Sequence, residues 1–127
     1  MAKDTKNFKV GEFACHCGKC ENKIEQEIID IAQKIRERAG CPIHINSGYR
    51  CPVHNKNVGG VANSKHTLGL AADLSCSIGA INLFVLIADM KAKGELPDLD
   101  YAILYIKKNF VHVDCGGKRS KFFEIRP

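Results

Sequence analysis

The sequence predicts an α+β fold in which a small antiparallel sheet is flanked by helices. Two stretches with apolar residues at three- and four-residue steps indicate amphipathic helices. Several short apolar or alternating runs bounded by turn residues indicate strands. Two of these runs are separated by a short polar connection, which is typical of an antiparallel hairpin.

Length and composition are those of an ordinary globular protein. We expect residues 1–127 to form one domain, since a chain of this size buries roughly two-thirds of its unfolded surface. It is 45% hydrophobic and 26% charged, which argues against disorder. The net charge of +5 suits an anionic partner such as a nucleic acid, an acidic lipid surface or a wall polymer, although dispersed lysines are more typical of a solvated surface.

The sequence contains no recognisable signal or membrane segment. Residues 1–6 are polar and lack the apolar core of a secretory signal. No run approaches the roughly 18–20 apolar residues of a membrane span. We therefore expect no membrane span, and action outside the cytoplasm would require another route of delivery.

Seven cysteines are many for this length, and an odd number cannot all pair within one chain. Three form the pattern Cys-x-Cys-x-x-Cys at Cys15, Cys17 and Cys20. The others stand singly at Cys41, Cys51, Cys76 and Cys115. The cluster resembles half of a structural zinc site but lacks a matching second Cys-x-x-Cys. A structural metal, disulfides and reduced thiols all stay open, with reduced thiols the general expectation for a chain without a signal.

An irregular lead-in precedes the first helix, and Phe8 and Phe13 are expected to pack against the core. The helix is predicted over Glu21–Ala39, with acidic residues early and basic residues late, as the helix dipole favours. Gly40 and Pro42 end it. Its apolar stripe consists of Ile24, Ile28, Ile31, Ala32, Ile35 and Ala39.

A short strand, a turn and a long loop are predicted next. Residues 43–46 alternate apolar and polar side chains, as a strand does. The turn 47–50 then places Arg50 at the end of that strand. Residues 51–64 contain two adjacent glycines and little periodicity, so we expect a surface loop that shapes a cleft leading to His66.

The second half begins with a change of direction and a second helix. Gly69 permits a tight turn, after which Leu70–Leu74 is predicted as a buried strand. Ser77 is expected to cap a helix over residues 78–93. Its predicted inner side consists of Ile81, Phe84, Val85 and Ala88.

Two further strands, 101–106 and 110–115, form the predicted hairpin, and residues 122–125 add an edge strand. Residues two apart on a strand face the same side, so His112 and Asp114 project together. A polar pair on an otherwise apolar strand is costly unless water, a metal or hydrogen bonds satisfy it. We therefore expect this strand to form a cleft wall.

Two polar motifs together suggest a metal site. The first reads Ser64-x-His66-x-x-Gly69-x-Ala71-x-Asp73, and the second reads His112-x-Asp114. A catalytic zinc takes three His or carboxylate ligands and keeps one position for water, and His66, Asp73 and His112 supply such a set. Each residue alone is more typical of a hydrogen-bonded structural role, so the joint pattern carries the prediction.

With these motifs the sequence resembles the zinc D-Ala-D-Ala carboxypeptidases and dipeptidases that trim peptidoglycan stems. The similarity rests on residues 8–13, 45–51, 63–73 and 110–114, and so covers nearly the whole chain. It is greatest for the short single-domain branch of bacteria and their phages. The resemblance implies the hedgehog/DD-peptidase fold, which this family shares with the hedgehog signalling domain.

The resemblance also implies roles for individual residues. His66, Asp73 and His112 would hold one catalytic Zn²⁺. Arg50 would bind the terminal carboxylate of the substrate or polarise the scissile carbonyl, which suits a guanidinium; a surface arginine in a solvated turn is the alternative. Ser64 would lie beside the metal and hydrogen-bond the substrate or orient His66, unless it caps the loop.

The general base departs from the family pattern. Several relatives place a glutamate three residues before the last histidine, where this chain has Asn109, which cannot accept a proton from water. Asp114, on the same strand face as His112, is the predicted substitute. Asp100 is a more distant candidate, and both aspartates are also compatible with structural roles.

The resulting hypothesis is a zinc peptidase that hydrolyses peptidoglycan stem peptides, preferentially as a D-Ala-D-Ala carboxypeptidase, by metal-activated water. Arg50 would stabilise the oxyanion and Asp114 would shuttle the proton. The bacterial cell wall is the expected site of action. The sequence leaves open which stem bond is cut, whether the host is a bacterium or a phage, and the oligomeric state.

Other functions match parts of the sequence. The missing glutamate permits a non-catalytic zinc module that binds wall peptide or a protein partner. Nucleic-acid binding through the cysteine cluster lacks an aromatic-basic pattern, so we expect no nucleic-acid partner. A cysteine hydrolase that uses Cys115 with His112 is disfavoured because the two residues face opposite sides of one strand.

Overall fold

A computed structural model describes residues 2–117 and 121–127. Within them, three α-helices flank a five-stranded sheet, which confirms the predicted α+β class. No helix of this part of the chain is long and apolar enough to span a membrane. In chain order the elements are α1 (Gln26–Ala39), β1 (Ile43–Ser47), α2 (Pro52–Asn57), β2 (Ala71–Cys76), α3 (Ala80–Ala92), β3 (Tyr101–Tyr105), β4 (Phe110–Asp114) and β5 (Phe123–Arg126).

The sheet has the strand order β1-β2-β4-β3-β5. Strands β1 to β4 pair antiparallel, as predicted, whereas the edge strand β5 pairs parallel with β3 and makes the sheet mixed. The register of β2 against β4 places Asp73 opposite His112 and Ala71 opposite Asp114. The two polar motifs therefore meet on neighbouring strands inside the sheet.

Helix α1 carries the apolar stripe that its periodicity predicted. The helix begins at Gln26 rather than Glu21, and it ends at Gly40, which has a left-handed φ of 69°. Ile28 and Ile35 are fully buried, and Ile24 is buried although it precedes the helix. These side chains belong to one core with apolar residues of the sheet and of α3.

Helix α3 packs on the sheet with a face that matches the predicted one only in part, since Phe84 is buried as expected. Ile81 and Val85 are 57% and 61% exposed, so the prediction that they face inward was wrong. The helix is apolar on most sides, so periodicity cannot distinguish two adjacent stripes. Gly79, and not Ser77, is its N-cap. The buried residues are Ala80, Leu83, Phe84, Ile87 and Met90.

The predicted surface loop contains a short helix. Helix α2 starts with Pro52 at its first turn, and the Cys51 sulfur accepts a hydrogen bond from the backbone N–H of His54. Six residues are too few for an amphipathic stripe to be visible in sequence. A 3₁₀ helix over Lys65–Leu68 follows and carries His66.

Gly69 makes the predicted change of direction between this 3₁₀ helix and β2. It has a φ of 72°, which favours glycine. A Cβ at this position would lie 2.0 Å from the carbonyl oxygen of Lys23. The Gly69 carbonyl also accepts a hydrogen bond from the N–H of Glu25, so the turn packs tightly against the start of α1.

Candidate active site

Three polar side chains from separate elements converge at one point. His66 comes from the 3₁₀ helix, Asp73 from β2 and His112 from β4. One ligand atom from each lies within 4.8 Å of the others. The Oδ1 atom of Asp73 is 3.4 Å from Nε2 of His66 and 3.0 Å from Nδ1 of His112. The structure thus brings together the three residues that were predicted from the sequence as metal ligands.

Hydrogen bonds on their far sides orient both imidazoles. Nδ1 of His66 lies 2.7 Å from the carbonyl oxygen of Gly48, which can only accept, so the other nitrogen faces Asp73. Nε2 of His112 lies 2.8 Å from Oδ2 of Asp114. Metal-binding histidines typically donate their second ring N–H to a carbonyl or a carboxylate in this way. Two oriented imidazoles and a carboxylate fit the ligand set of a catalytic zinc.

Burial and hydrogen bonds shift the pKa values of the cluster. Burial raises the pKa of Asp73, but hydrogen bonds from His112 and His66 outweigh it and hold that pKa well below its usual range. Burial lowers the pKa of His112, but its hydrogen bonds with Asp114 and Asp73 outweigh it and raise that pKa to about 9. The deprotonated imidazole is the form that ligates a metal, so a metal ion at this cluster would compete with protons for His112.

Arg50 lies beside the cluster and is held in place by Asn55. The backbone N–H of Arg50 donates to the carbonyl of His66 at 3.0 Å, and its Nη1 donates to Oδ1 of Asn55 at 3.1 Å. Burial lowers the pKa of the Arg50 guanidinium, and the nearby Asp73 charge opposes this shift. Its Nε has no hydrogen-bond partner among the described residues.

Asn55 is a site residue that sequence reasoning missed. It is 2% exposed, and its amide donates to the carbonyl of Val61 at 2.7 Å, so it links Arg50 to the glycine-rich loop. A Cβ at Gly60 would lie 2.1 Å from Asn55 Oδ1 and 2.9 Å from Arg50 Nη1. The paired glycines marked the loop, but no pattern singled out a buried asparagine in a helix too short to recognise.

The cluster lies in a cleft of about 900 Å³. The loop predicted to shape this cleft contributes residues 58–61 to its wall. Among the described residues that line it, Asp73 and Asp114 are the only acidic ones. Its basic and aromatic lining includes Arg50, Lys65, Lys108, Arg126, Tyr101, Tyr105 and Phe110. The cleft therefore offers a cationic surface around a small buried carboxylate–histidine cluster.

Comparison of the sequence with models of known protein families identifies the family to which the chain belongs. The sequence profile of the family described as Peptidase M15 matches residues 6–114. This chain belongs to the Peptidase M15 family. The matched range includes the whole carboxylate–histidine cluster and Arg50, and members of the family are metal-dependent peptidases. No curated protein sequence matches the chain significantly.

In this M15 family member Asn109 has a structural role. Its φ of 57° is left-handed, a conformation in which asparagine is enriched. Its Oδ1 accepts a hydrogen bond at 2.9 Å from the N–H of Ala80, at the start of α3. Asn109 thus fixes the hairpin to a helix.

The two aspartates considered as proton carriers lie in different settings. Asp114 shares the strand face of His112, lines the cleft and is 1% exposed. Asp100 instead accepts a hydrogen bond at 2.9 Å from the N–H of Gly117 and is not among the described lining residues. Of the two, Asp114 is the one that the structure brings to the cluster.

Ser64 stabilises the chain before His66. Its hydroxyl oxygen accepts a hydrogen bond from the His66 N–H at 3.2 Å, so it is the N-cap of the 3₁₀ helix. It is not among the described residues that line the cleft of this M15 protein. The geometry matches the capping alternative, with the serine acting on the position of His66.

Proposed function

We propose that the protein is a zinc-dependent peptidase that hydrolyses peptidoglycan stem peptides, with D-Ala-D-Ala carboxypeptidase as the preferred activity. The observation that carries this proposal is the convergence of His66, Asp73 and His112 in a cleft with a cationic lining. Membership of the M15 family supports the peptidase class. The cationic lining supports an anionic peptide as the substrate.

The candidate ligands suit zinc in number and type. Bound at His66, Asp73 and His112, Zn²⁺ would supply a Lewis acid and lower the pKa of a water molecule to about 7. The protein itself keeps the two imidazoles oriented through the Gly48 carbonyl and the Asp114 carboxylate. This preorganisation removes the need to order the ligands during the reaction.

The cationic lining favours a peptide with a free carboxylate near the scissile bond. Arg50 is the half-buried cation near Asp73, and its planar guanidinium pairs with a carboxylate or stabilises a developing oxyanion. Lys65 and Lys108 also line the cleft and attract an anionic peptide. The D-Ala-D-Ala end of a stem peptide carries its terminal carboxylate one residue from the bond to be cut.

Asp114 is the proposed proton carrier. Asp73 is one of the three proposed metal ligands, and Asp114 is the other acidic residue among the described lining. A carboxylate oxygen of Asp114 would take a proton from the attacking water and return it to the leaving amine. Its hydrogen bond to His112 adds a positioning role to this proton transfer.

Digestion of purified muropeptides with product identification by mass tests the function. We expect release of D-Ala that stops on chelation, returns with zinc, and is absent in a His66→Ala variant. Cleavage that persists in the metal-free protein would refute the proposal. Zinc-loaded protein that retains muropeptides without releasing any product would instead identify the non-catalytic binding module.

A further inference from the structure

A second cluster of metal-ligand type lies outside the carboxylate–histidine cluster. Cys15, Cys17 and Cys20 are joined in space by Cys51, and all four sulfur atoms lie within 4.8 Å of one another. Gly18, with a φ of 69°, allows the tight turn between the second and third cysteines. Cys51 supplies the fourth ligand that the sequence pattern lacked, from a distant part of the chain.

The distances between these sulfur atoms match a shared metal better than disulfides. Sγ of Cys15 lies 3.8 Å from Sγ of Cys51, and Sγ of Cys17 lies 3.4 Å from Cys20 and 3.9 Å from Cys51. A disulfide requires about 2.05 Å. Four sulfurs placed tetrahedrally at about 2.3 Å from a zinc ion are separated by about 3.8 Å.

Backbone N–H groups point at three of the four sulfur atoms. Lys19 donates to Cys17, the N–H of Cys51 donates to Cys15, and His54 donates to Cys51, each at 3.4 Å. Such donors stabilise the thiolate form, which is the form that binds metals. Hydrogen bonds of this kind also fix the direction of metal ligands.

We infer that Cys15, Cys17, Cys20 and Cys51 bind a second metal ion, and that this ion is structural. Four thiolates select a thiophilic, tetrahedral ion, for which Zn²⁺ is the first candidate. Because the protein supplies all four ligands, no position is left for water or substrate. The cysteine site therefore has a different function from the carboxylate–histidine cluster.

The proposed ion would connect the N-terminal segment to the loop that carries Arg50. Cys51 directly follows Arg50, and the N–H of Tyr49 already donates to the carbonyl of Phe13 at 2.8 Å. A Cβ at Gly48 would lie 2.5 Å from the same carbonyl oxygen, so the two segments are in close contact. A tetrahedral ion next to this contact would hold the Arg50 backbone and the start of α2 in place.

Metal stoichiometry of the full-length protein tests the inference. We expect two zinc ions per chain in the unsubstituted protein, one in a Cys17→Ser/Cys20→Ser variant and one in His66→Ala. Cys41→Ser removes a thiol outside the cluster and should leave two ions. An unchanged zinc content in the double cysteine variant, or intact masses that show disulfides within the cluster, would overturn the inference.

Cobalt substitution keeps the test decisive if the double cysteine variant fails to fold. The His66→Ala variant retains all four cysteines, so its Co²⁺ form should show an intense thiolate-to-cobalt charge-transfer band. A cobalt-loaded His66→Ala protein without this band would contradict the cysteine site. Since neither readout depends on peptide cleavage, failure of the cysteine site and failure of the proposed peptidase activity are distinguishable.

Discussion

At the level of single residues, Asp114 combines a hydrogen bond to His112 with a place on the cleft wall. Asp114→Asn separates these roles, because an amide oxygen still accepts from the imidazole but cannot take a proton. We expect kcat to fall by roughly 10²–10⁴-fold with zinc content unchanged. Steady-state kinetics and metal analysis of the same sample measure both.

Asp100→Asn is the comparison for that experiment, because its carboxylate binds the Gly117 N–H instead of the cluster. It should lose far less activity than Asp114→Asn. Full activity in Asp114→Asn would remove this residue from proton transfer. Zinc lost together with activity would show that it serves only to position His112.

The hydrogen bond between Arg50 and Asn55 predicts coupled effects on activity. Arg50→Ala should lower kcat/KM by roughly 10²–10³-fold, as is typical when one oxyanion-stabilising donor is removed. Asn55→Ala should lower it less, because the guanidinium remains but loses its partner. In a double-mutant cycle Asn55→Ala should add little to Arg50→Ala. Fully additive losses would show that Asn55 acts independently of Arg50.

At the level of elements, the turn at Gly69 sets the position of His66 relative to β2. Gly69 and Gly94 have nearly the same φ, 72° and 74°, but a Cβ meets the Lys23 carbonyl at the first and nothing within 4 Å at the second. Gly94→Ala should therefore cost about 1–2 kcal/mol of unfolding free energy for the left-handed backbone alone. Gly69→Ala should cost about 1–3 kcal/mol more because of the collision.

Urea unfolding of both variants measures this difference. Equal losses of unfolding free energy would contradict the close contact between the Gly69 turn and the chain before α1. If the turn positions His66 as the structure indicates, Gly69→Ala should also lower zinc affinity. Gly94→Ala, at the distant end of α3, should bind zinc normally.

The edge strand β5 is attached through Glu124, and this attachment should depend on pH. Hydrogen bonds from Arg126 and Tyr101 lower the pKa of Glu124 to about 2, from an ordinary value of 4.5. A depressed folded-state pKa stabilises the protein above the unfolded value, and this stabilisation is lost as pH falls through about 2. The contribution should therefore be complete at neutral pH and decrease in acid.

Comparison with Glu124→Gln measures this contribution. The difference in unfolding free energy between the unsubstituted protein and the variant should be constant from pH 7 to about 5. It should then shrink steadily toward pH 2, because the charge of Glu124 is lost in both states. A difference that stays constant over this acidic range would show that the charge of Glu124 does not stabilise the edge strand.

The sequence predicted elements with a clear period and missed those without one. The α1 stripe follows from periodicity, and the antiparallel pairing of β3 with β4 follows from their short connection. The prediction of which face of α3 is buried was wrong for Ile81 and Val85, because these two exposed residues form a stripe as apolar as the buried one. Helix α2 is too short for a period, and the four residues of β5 carry no signal for parallel pairing.

At the level of the whole molecule, residues distant in sequence come together in ways that motif spacing predicts only in part. His66, Asp73 and His112 were predicted to lie together because their joint pattern suits a zinc site and resembles a known family. Asn55 and Cys51 were not assigned to their clusters, because each needs the path of the loop between β1 and β2. Such partners depend on tertiary contacts, which local pattern does not encode.

Metal removal should lower the free energy of unfolding without unfolding the protein. The core joins α1, α3 and the sheet through apolar contacts. We therefore expect the fold to persist without an ion, whereas a classical zinc finger unfolds when its metal is removed. Zinc bound only by the folded state adds about 2.7 kcal/mol at a concentration 100-fold above its Kd. We therefore expect the metal-free protein to keep its far-UV circular dichroism and to melt several degrees lower.

Asp73→Asn isolates the share of the carboxylate–histidine cluster in this stabilisation. The variant loses the central carboxylate but keeps all four cysteines, so zinc bound by sulfur should stabilise it and the unsubstituted protein equally. The zinc-induced rise in Tm should accordingly be larger in the unsubstituted protein, and the difference reports the cluster alone. Equal rises would mean that zinc does not bind at Asp73, because the cysteines then account for the whole effect.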